Sequence, residues 1–394
     1  MSKLIEITGK PISGEWGSDD LAGTGIPVLR TTNFTNEGIV NYSNIVTRQI
    51  KKKNIAEKML RYGDIILEKS GGSDNQPVGR VVFFEGEENK YLFNNFTGVL
   101  RIQDTNKWHP KYVFYALFTS YVSGGTVCYE NRTTGLHNLR TDSYVSSVEI
   151  PDRTIDEQIA IVEHIDTIVK IIRLYKDQVS NLDVLVKSRF IELFGDPLIE
   201  DDRYPRVPLG SLAEVGSSKR IFEKEYVSEG IPFYRTKEIV ELSKGNRITT
   251  ELFITKERYD EIRSEYGVPQ KGDLLISAVG TIGVIWIVDG KNDFYFKDGN
   301  LLRMSATEKF VPEYLKHLLE ALIRAYKSEM SSGTAYAALT ISALKEMMVY
   351  DVPHAEQEQF AAFVKQTDKS KLAVQKSLDE LETLKKSLMQ QYFG

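Results

Sequence analysis

The stretch GIPVLRTT occupies Gly25 to Thr32, and GIPFYRTK occupies Gly230 to Lys237. The sequence around them repeats as well. YGDIILEKSGG (Tyr62 to Gly72) is answered by KGDLLISAVGT (Lys271 to Thr281), and VGRVVFF (Val78 to Phe84) by IGVIWIV (Ile282 to Val288). FTGVLRI (Phe96 to Ile102) is answered by DGNLLRM (Asp298 to Met304), and LDVLVKSRFIELFG (Leu182 to Gly195) by LETLKKSLMQQYFG (Leu381 to Gly394). The blocks keep one order and one spacing of roughly 200 residues, far longer than the unit of a solenoid. The chain is a tandem duplication of a whole module.

Each module has two parts. The first is a run of about 150 residues, an ordinary domain size, in which short apolar segments alternate with Gly, Asn, Asp and Ser. GDIIL, GRVVFF, GDLLIS and GVIWIV read as strands fed by Gly-Asp or Gly turns. Asp64 and its repeat Asp273 read as turn carboxylates. FYALF (Phe114 to Phe118) and EYLKHLLEALIRAY (Glu313 to Tyr326) have helical spacing, so the part is mixed α/β.

The second part is one long helix. After Ile150-Pro151 no Gly or Pro interrupts the chain until Gly195, and Thr154 with Glu157 has capping-box spacing. Apolar residues recur at Ile161, Ile165, Ile168, Ile172, Tyr175, Val179, Leu182 and Val186 in alternating steps of four and three. That is a heptad seam. The C-terminal copy carries a more polar one, with Val374, Leu378, Leu381 and Leu388 among its apolar members. A long helix with one apolar stripe needs a partner, and the other copy is at hand. The expectation is an antiparallel pair relating the modules by a pseudo-twofold axis. The fold class is mixed α+β, with domains at 1–150 and 199–351 and helices at 151–198 and 352–394.

Composition bounds the function. The chain has 394 residues, is 41% hydrophobic and carries a net charge of −5, so each domain can bury a normal core and bulk charge neither favours nor excludes nucleic acid. The lone Cys128 cannot form an internal disulfide and fits a reducing cytoplasm; it reads as a small buried hydrophobe. No signal peptide or membrane span is expected. Neither a phosphate loop nor a GxSxG elbow is present, and the 5 histidines lack metal-ligand spacing. No catalytic residue, metal site or bound cofactor is expected.

The doubled order of GIP-(V/F)-(L/Y)-RT, the GD strand with its glycine loop, the Pro-started helices bearing Glu-Gln and the FG helix ends strongly resembles the specificity subunit of type I restriction-modification systems. EKSGGSDNQPVGR (Glu68 to Arg80) looks like one common form of the first-domain loop. The resemblance spans the chain. It implies two target recognition domains, each reading one half of a bipartite double-stranded DNA site, with the helices setting the spacing. It also implies two modification subunits that methylate adenine, and restriction subunits that translocate and cleave. S-adenosylmethionine, ATP and Mg²⁺ would sit on those partners, and this chain would be a non-catalytic, cytoplasmic recognition subunit. Two rivals remain open: a type IIB-like or phase-variable orphan system, and a tandem protein-interaction scaffold with no DNA role.

Base reading needs bidentate side chains and phosphate contacts need cations and hydroxyls. The candidates in the first domain are Lys69, Ser70, Ser73, Asn75, Gln76, Arg80, Arg132, Thr133 and Asn138. In the second they are Lys219, Arg220, Ser277, Thr281, Thr334 and Tyr336. Arg30-Thr31 and Arg235-Thr236 stand in both copies, so they read as framework, either as a grip on the DNA backbone or as a structural ion pair.

Overall fold

A computed structural model describes residues 1–51, 55–131, 137–199, 203–330 and 338–394. The chain divides into two compact units. The first comprises Met1–Lys176 with Lys376–Gly394, and the second Asp177–Gln375. The division falls within the long helices. Each unit therefore holds one globular part, the start of the helix that follows it and the end of the other helix.

In the first unit an antiparallel sheet has the order Ile12–Ser13, Thr97–Leu100, Ile65–Glu68, Val81–Phe83. Ile66 lies opposite Val99 and Val82. Side chains alternate across a strand, and here both faces are covered. Ile65 and Leu67 join a core with the helix Pro110–Val122, while Ile66, Val82 and Val99 join a second core with Leu29, Phe34 and Phe93. This double burial explains why GDIIL and GRVVFF are continuous apolar runs.

The second unit repeats the plan as Val215–Gly216, Leu301–Met304, Leu274–Ser277, Ile285–Ile287. Leu274 and Ile276 face a core with helix Pro312–Met330, and Leu275 faces a core with Phe233 and Tyr259. The GIP strands also match. Ile26–Leu29 and Ile231–Tyr234 each pair in parallel with a short strand, Leu92–Phe93 and Tyr295–Phe296.

The long helices run Ile155–Phe194 and His354–Phe393. The first opens on the expected capping box: Thr154 N donates to Glu157 Oε2 at 2.8 Å and Glu157 N donates to Thr154 Oγ at 3.3 Å. One turn later each helix drives a buried glutamine into its globular part. Gln158 accepts from His109 N and donates to the carbonyls of Lys107 and Arg153. Gln357 accepts from Val311 N and donates to the carbonyls of Lys309 and Val352. The second helix start doubles the pair as Glu356-Gln357-Glu358-Gln359, and the fully buried Gln357 fixes its register.

Within each unit the beginning of one helix lies against the end of the other, which is an antiparallel sense. In the first unit Ile161 and Ile165 share a core with Met389, and Lys176 pairs with Glu382 at 3.1 Å. In the second, Phe190 packs edge-on against Phe360, and Lys371 pairs with Asp183 at 2.7 Å. Of the seam residues, Ile161, Ile165, Ile172 and Leu378 are buried, while Ile168, Val179, Leu182, Val374, Leu381 and Leu388 are half-buried. Cys128 is exposed, contrary to its reading as a buried hydrophobe. It sits on the surface turn Val127–Tyr129, where its thiol donates to the Gly125 carbonyl.

Candidate nucleic-acid interface

The candidate loop of the first unit grows directly out of the sheet. Beyond Glu68 the chain leaves its neighbours as the strand Ser70–Gly72 and pairs with His137–Leu139, with an irregularity between His137 and Asn138. The two strands of a tight turn then close on each other: Ser73 N donates to Gln76 O at 2.8 Å and Gln76 N to Ser73 O at 3.1 Å. This leaves Ser73, Asp74 and Asn75 exposed at a tip. Gly79 (φ +104°) lets the return strand pass Thr126, where a Cβ would come within 2.7 Å of that side chain. Lys69 and Ser70 are half-buried, and both backbone amides donate to Phe96 O. Burial pushes the Lys69 ammonium below the usual lysine range, helped by neighbouring Lys58.

Arg80 has a different place from the one its sequence suggests. Its guanidinium makes two 3.1 Å bonds to Glu68, which is 1% exposed, and a third to the carbonyl of Thr31. An arginine fully engaged with a buried carboxylate cannot turn to a base without stranding that charge. Arg80 is thus a strut under the loop. Gln76 lies beside it, within 3.2 Å of Asn36 Oδ1. Asn138 is half-buried and Arg132 and Thr133 lie outside the described residues.

In the second unit the loop after Leu274–Ser277 is shorter. Ser277, 0% exposed, closes it: its hydroxyl donates to Thr281 O and accepts from Val284 N. Ser277 therefore locks the turn and is sealed from any ligand, correcting its place among the contact residues. Val279, Gly280 and Thr281 form the exposed tip. Lys219 places its ammonium 4.7 Å from the Tyr266 ring centroid, and exposed Arg220 pairs with Asp298 at 2.7 Å. Thr334 and Tyr336 lie outside the described residues.

The repeated Arg-Thr pairs differ. Arg235 bonds Glu238 through Nη2 at 3.0 Å, and Glu238 also accepts from the Arg235 backbone N–H. In the first unit that carboxylate is replaced by Asn33, which accepts from Arg30 N at 3.0 Å and leaves the guanidinium with the Asn44 carbonyl alone. Among the described residues Arg30 has no carboxylate partner, and its buried Nε has no acceptor. Thr31 lies next to the glycine loop, 3.9 Å from a Cβ built on Gly71, while the buried hydroxyl of Thr236 has no partner among the described residues.

Comparison with known proteins fits this architecture. Residues 203–383 match the family model described as type I restriction modification DNA specificity domain. The chain is thus similar to the specificity subunits of type I restriction-modification systems. A relative named as a type I restriction enzyme specificity subunit, from Haemophilus influenzae, is 29% identical over 208 residues, 52% of this chain and 47% of that protein. The MjaX specificity subunit of Methanocaldococcus jannaschii is 19% identical, with 99% of this chain and 90% of that protein covered. Among solved structures, the S subunit of a type I restriction-modification system from M. genitalium has a TM-score of 0.57 at 16% identity over 100% of this chain and 95% of its own. A chain from a study of complex assembly and conformational transition in a type I system has a TM-score of 0.58 at 17% identity, covering 99% of this chain and 96% of its own. This likeness is one of fold. Among the described residues no helix is long and apolar enough to cross a membrane.

Proposed function

We propose that this chain is a specificity subunit of a type I restriction-modification system and reads a bipartite duplex DNA site, one half per unit. The observation that carries the reading is the contrast between framework and tip. The sheet, the buried glutamine and the turn carboxylates Asp64 and Asp273 repeat, whereas Ser73-Asp74-Asn75 in one loop faces Val279-Gly280-Thr281 in the other. Two heads of one make with different tips suit two different half-sites. The exposed Asn75 amide has the paired donor and acceptor that match an adenine edge, and the Thr281 methyl suits a thymine. Lys69, Lys219 and Arg220 supply cations for phosphate.

The 40-residue helices, about 60 Å long at the α-helical rise, set the distance between half-sites and dock two modification subunits. Those partners bind S-adenosylmethionine and methylate adenine; restriction subunits bring ATP and Mg²⁺. The chain itself works in the cytoplasm and catalyses no step. Reconstitution with the modification subunits, followed by methylation of a random duplex library, tests this. A split sequence with a fixed gap is the expected product, and a single continuous sequence overturns the bipartite reading.

A further inference from the structure

The second unit contains a cleft of about 430 Å³ that neither loop tip explains. The repeated blocks FTGVLRI and DGNLLRM each carry an arginine, Arg101 and Arg303, but the sheets do not hold them in one register: Val99 faces Ile66, whereas Arg303 faces Leu275. Arg101 is fully consumed. It bonds Asp64 through Nε and Nη2, both at 2.7 Å, and donates to the carbonyls of Glu57 and Met59. Arg303 is not. Asp273, the repeat of Asp64, already accepts from Gln270 N at 2.9 Å and Ala306 N at 2.8 Å, and lies 3.7 Å from the Arg303 guanidinium. Among the described residues Arg303 makes one hydrogen bond, to Ser305 Oγ at 3.3 Å. Its guanidinium lies 3.8 Å from a Cβ built on Gly267 and lines an open space.

That space is built for an anion. Lys219 and Lys345 line it with Arg303, and the Tyr266 ring forms one wall beneath the Lys219 ammonium. Ser218 is in the same lining, and its buried hydroxyl has no partner among the described residues. Glu214 is the one carboxylate among the lining residues. Three cations and an unused hydroxyl donor match a tetrahedral oxyanion that needs several donors at once. The volume lies within the roughly 300–1,000 Å³ of ordinary ligand sites.

The geometry points to a phosphate-binding cleft in the second unit, held by Arg303, Lys219, Lys345 and Ser218. The phosphate comes either from the backbone of bound DNA or from a free phosphorylated ligand. Only the first source rests on the proposed DNA reading.

Two arms separate the sources. In one, the full chain is heated with inorganic phosphate against chloride of equal ionic strength. The wild type gains thermal stability, Arg303→Gln and Lys219→Gln lose that gain, and Arg101→Gln lowers the midpoint while keeping the response. In the other, the chain assembled with its modification subunits binds duplex DNA over a salt series. Arg303→Gln then lowers affinity by a similar factor on every sequence and reduces the slope of log K against log salt by about 1. A response in the DNA arm alone assigns the cleft to the duplex backbone. A response in the phosphate arm alone assigns it to a free ligand, even where the wild-type complex fails to bind DNA and the bipartite reading falls. Wild-type and Arg303→Gln proteins alike in both arms overturn the cleft. The exposed Lys219→Gln guards against an Arg303 variant that merely folds poorly.

Discussion

Phe393 ends the second helix in the first unit, and Phe194 ends the first helix in the second unit. Phe393 is half-buried and meets Tyr112 at 5.1 Å. Phe194 is 0% exposed and meets Tyr314 at 4.9 Å, with Phe360 at 5.6 Å and Phe190 at 5.0 Å around it. The FG ending recurs in both copies, yet it is a core element in one unit and a lid in the other. The same residue type at the same repeat position therefore carries different free energy, set by how many aromatic neighbours surround it.

The largest expected effect breaks that symmetry. Phe194→Ala should destabilise the second unit by about 3–5 kcal/mol, the usual cost of emptying a buried phenylalanine site. Phe393→Ala should cost the first unit roughly 1–2 kcal/mol, because a half-exposed ring forfeits less transfer energy and leaves no closed cavity. Trp286 reports on the second unit, and Trp108, stacked on Tyr112, on the first. Urea unfolding followed through each tryptophan in turn separates the two costs. Equal losses would mean that the helix ends contribute alike despite their surroundings.

Much of this plan was legible beforehand. The five repeated blocks, the heptad steps and the Thr154–Glu157 spacing are local patterns with direct structural meanings. The double burial of the sheet also follows from unbroken apolar runs. What escaped depends on contacts between distant residues. Nothing near Arg80 in sequence says that Glu68 is sealed beneath it, and a serine at position 277 looks the same whether it faces solvent or a turn carbonyl. Gln357 and Gln359 both sit beside a glutamate, and only the buried amides and carbonyls of the globular part choose between them. The cleft around Arg303 is assembled from Ser218, Tyr266, Arg303 and Lys345, which lie far apart along the chain and share no motif.

A second contrast concerns acid. Helix Pro110–Val122 presents Tyr115 to the first long helix, where its hydroxyl donates to Asp166. Helix Pro312–Met330 presents His317 at the matching position, packed edge-on to Phe360. Burial pushes the His317 imidazole down from 6.5 to about 4, with Lys316 and Lys187 pushing the same way and Asp183 opposing. The unfolded chain thus binds the proton first. Stability from this group is present above about pH 6.5 and is lost as pH falls toward about 4, by up to about 3 kcal/mol. Glu320, 3.6 Å away, is raised by burial and has the opposite sign, favouring the folded state at low pH. His317→Gln removes one of the two. Relative to that variant, wild type should lose stability between pH 6.5 and 4 in the second unit only. A difference curve that stays flat over this range rejects the assignment.

The smallest expected effect concerns Arg30 and Arg235. They share a motif, but Glu238 neutralises Arg235 whereas Asn33 leaves Arg30 charged and without a carboxylate among the described residues. Removing Arg235 strands a carboxylate that is 2% exposed, so its main consequence is lost stability in the second unit. The arginine itself is 33% exposed, and screening holds that loss to about 1 kcal/mol. Removing Arg30 strands no charge and frees only the exposed Asn44 carbonyl to water. If it grips the DNA backbone beside the Gly71 loop, Arg30→Ala should weaken binding of all sequences alike and lower the salt slope by about 1, with unfolding unchanged. Arg235→Ala should do the reverse, shifting the urea midpoint while sparing the salt slope. Identical behaviour in both assays would restore one role for the pair. A change in the bases chosen, from either variant, would move the Arg-Thr motif from framework to reader.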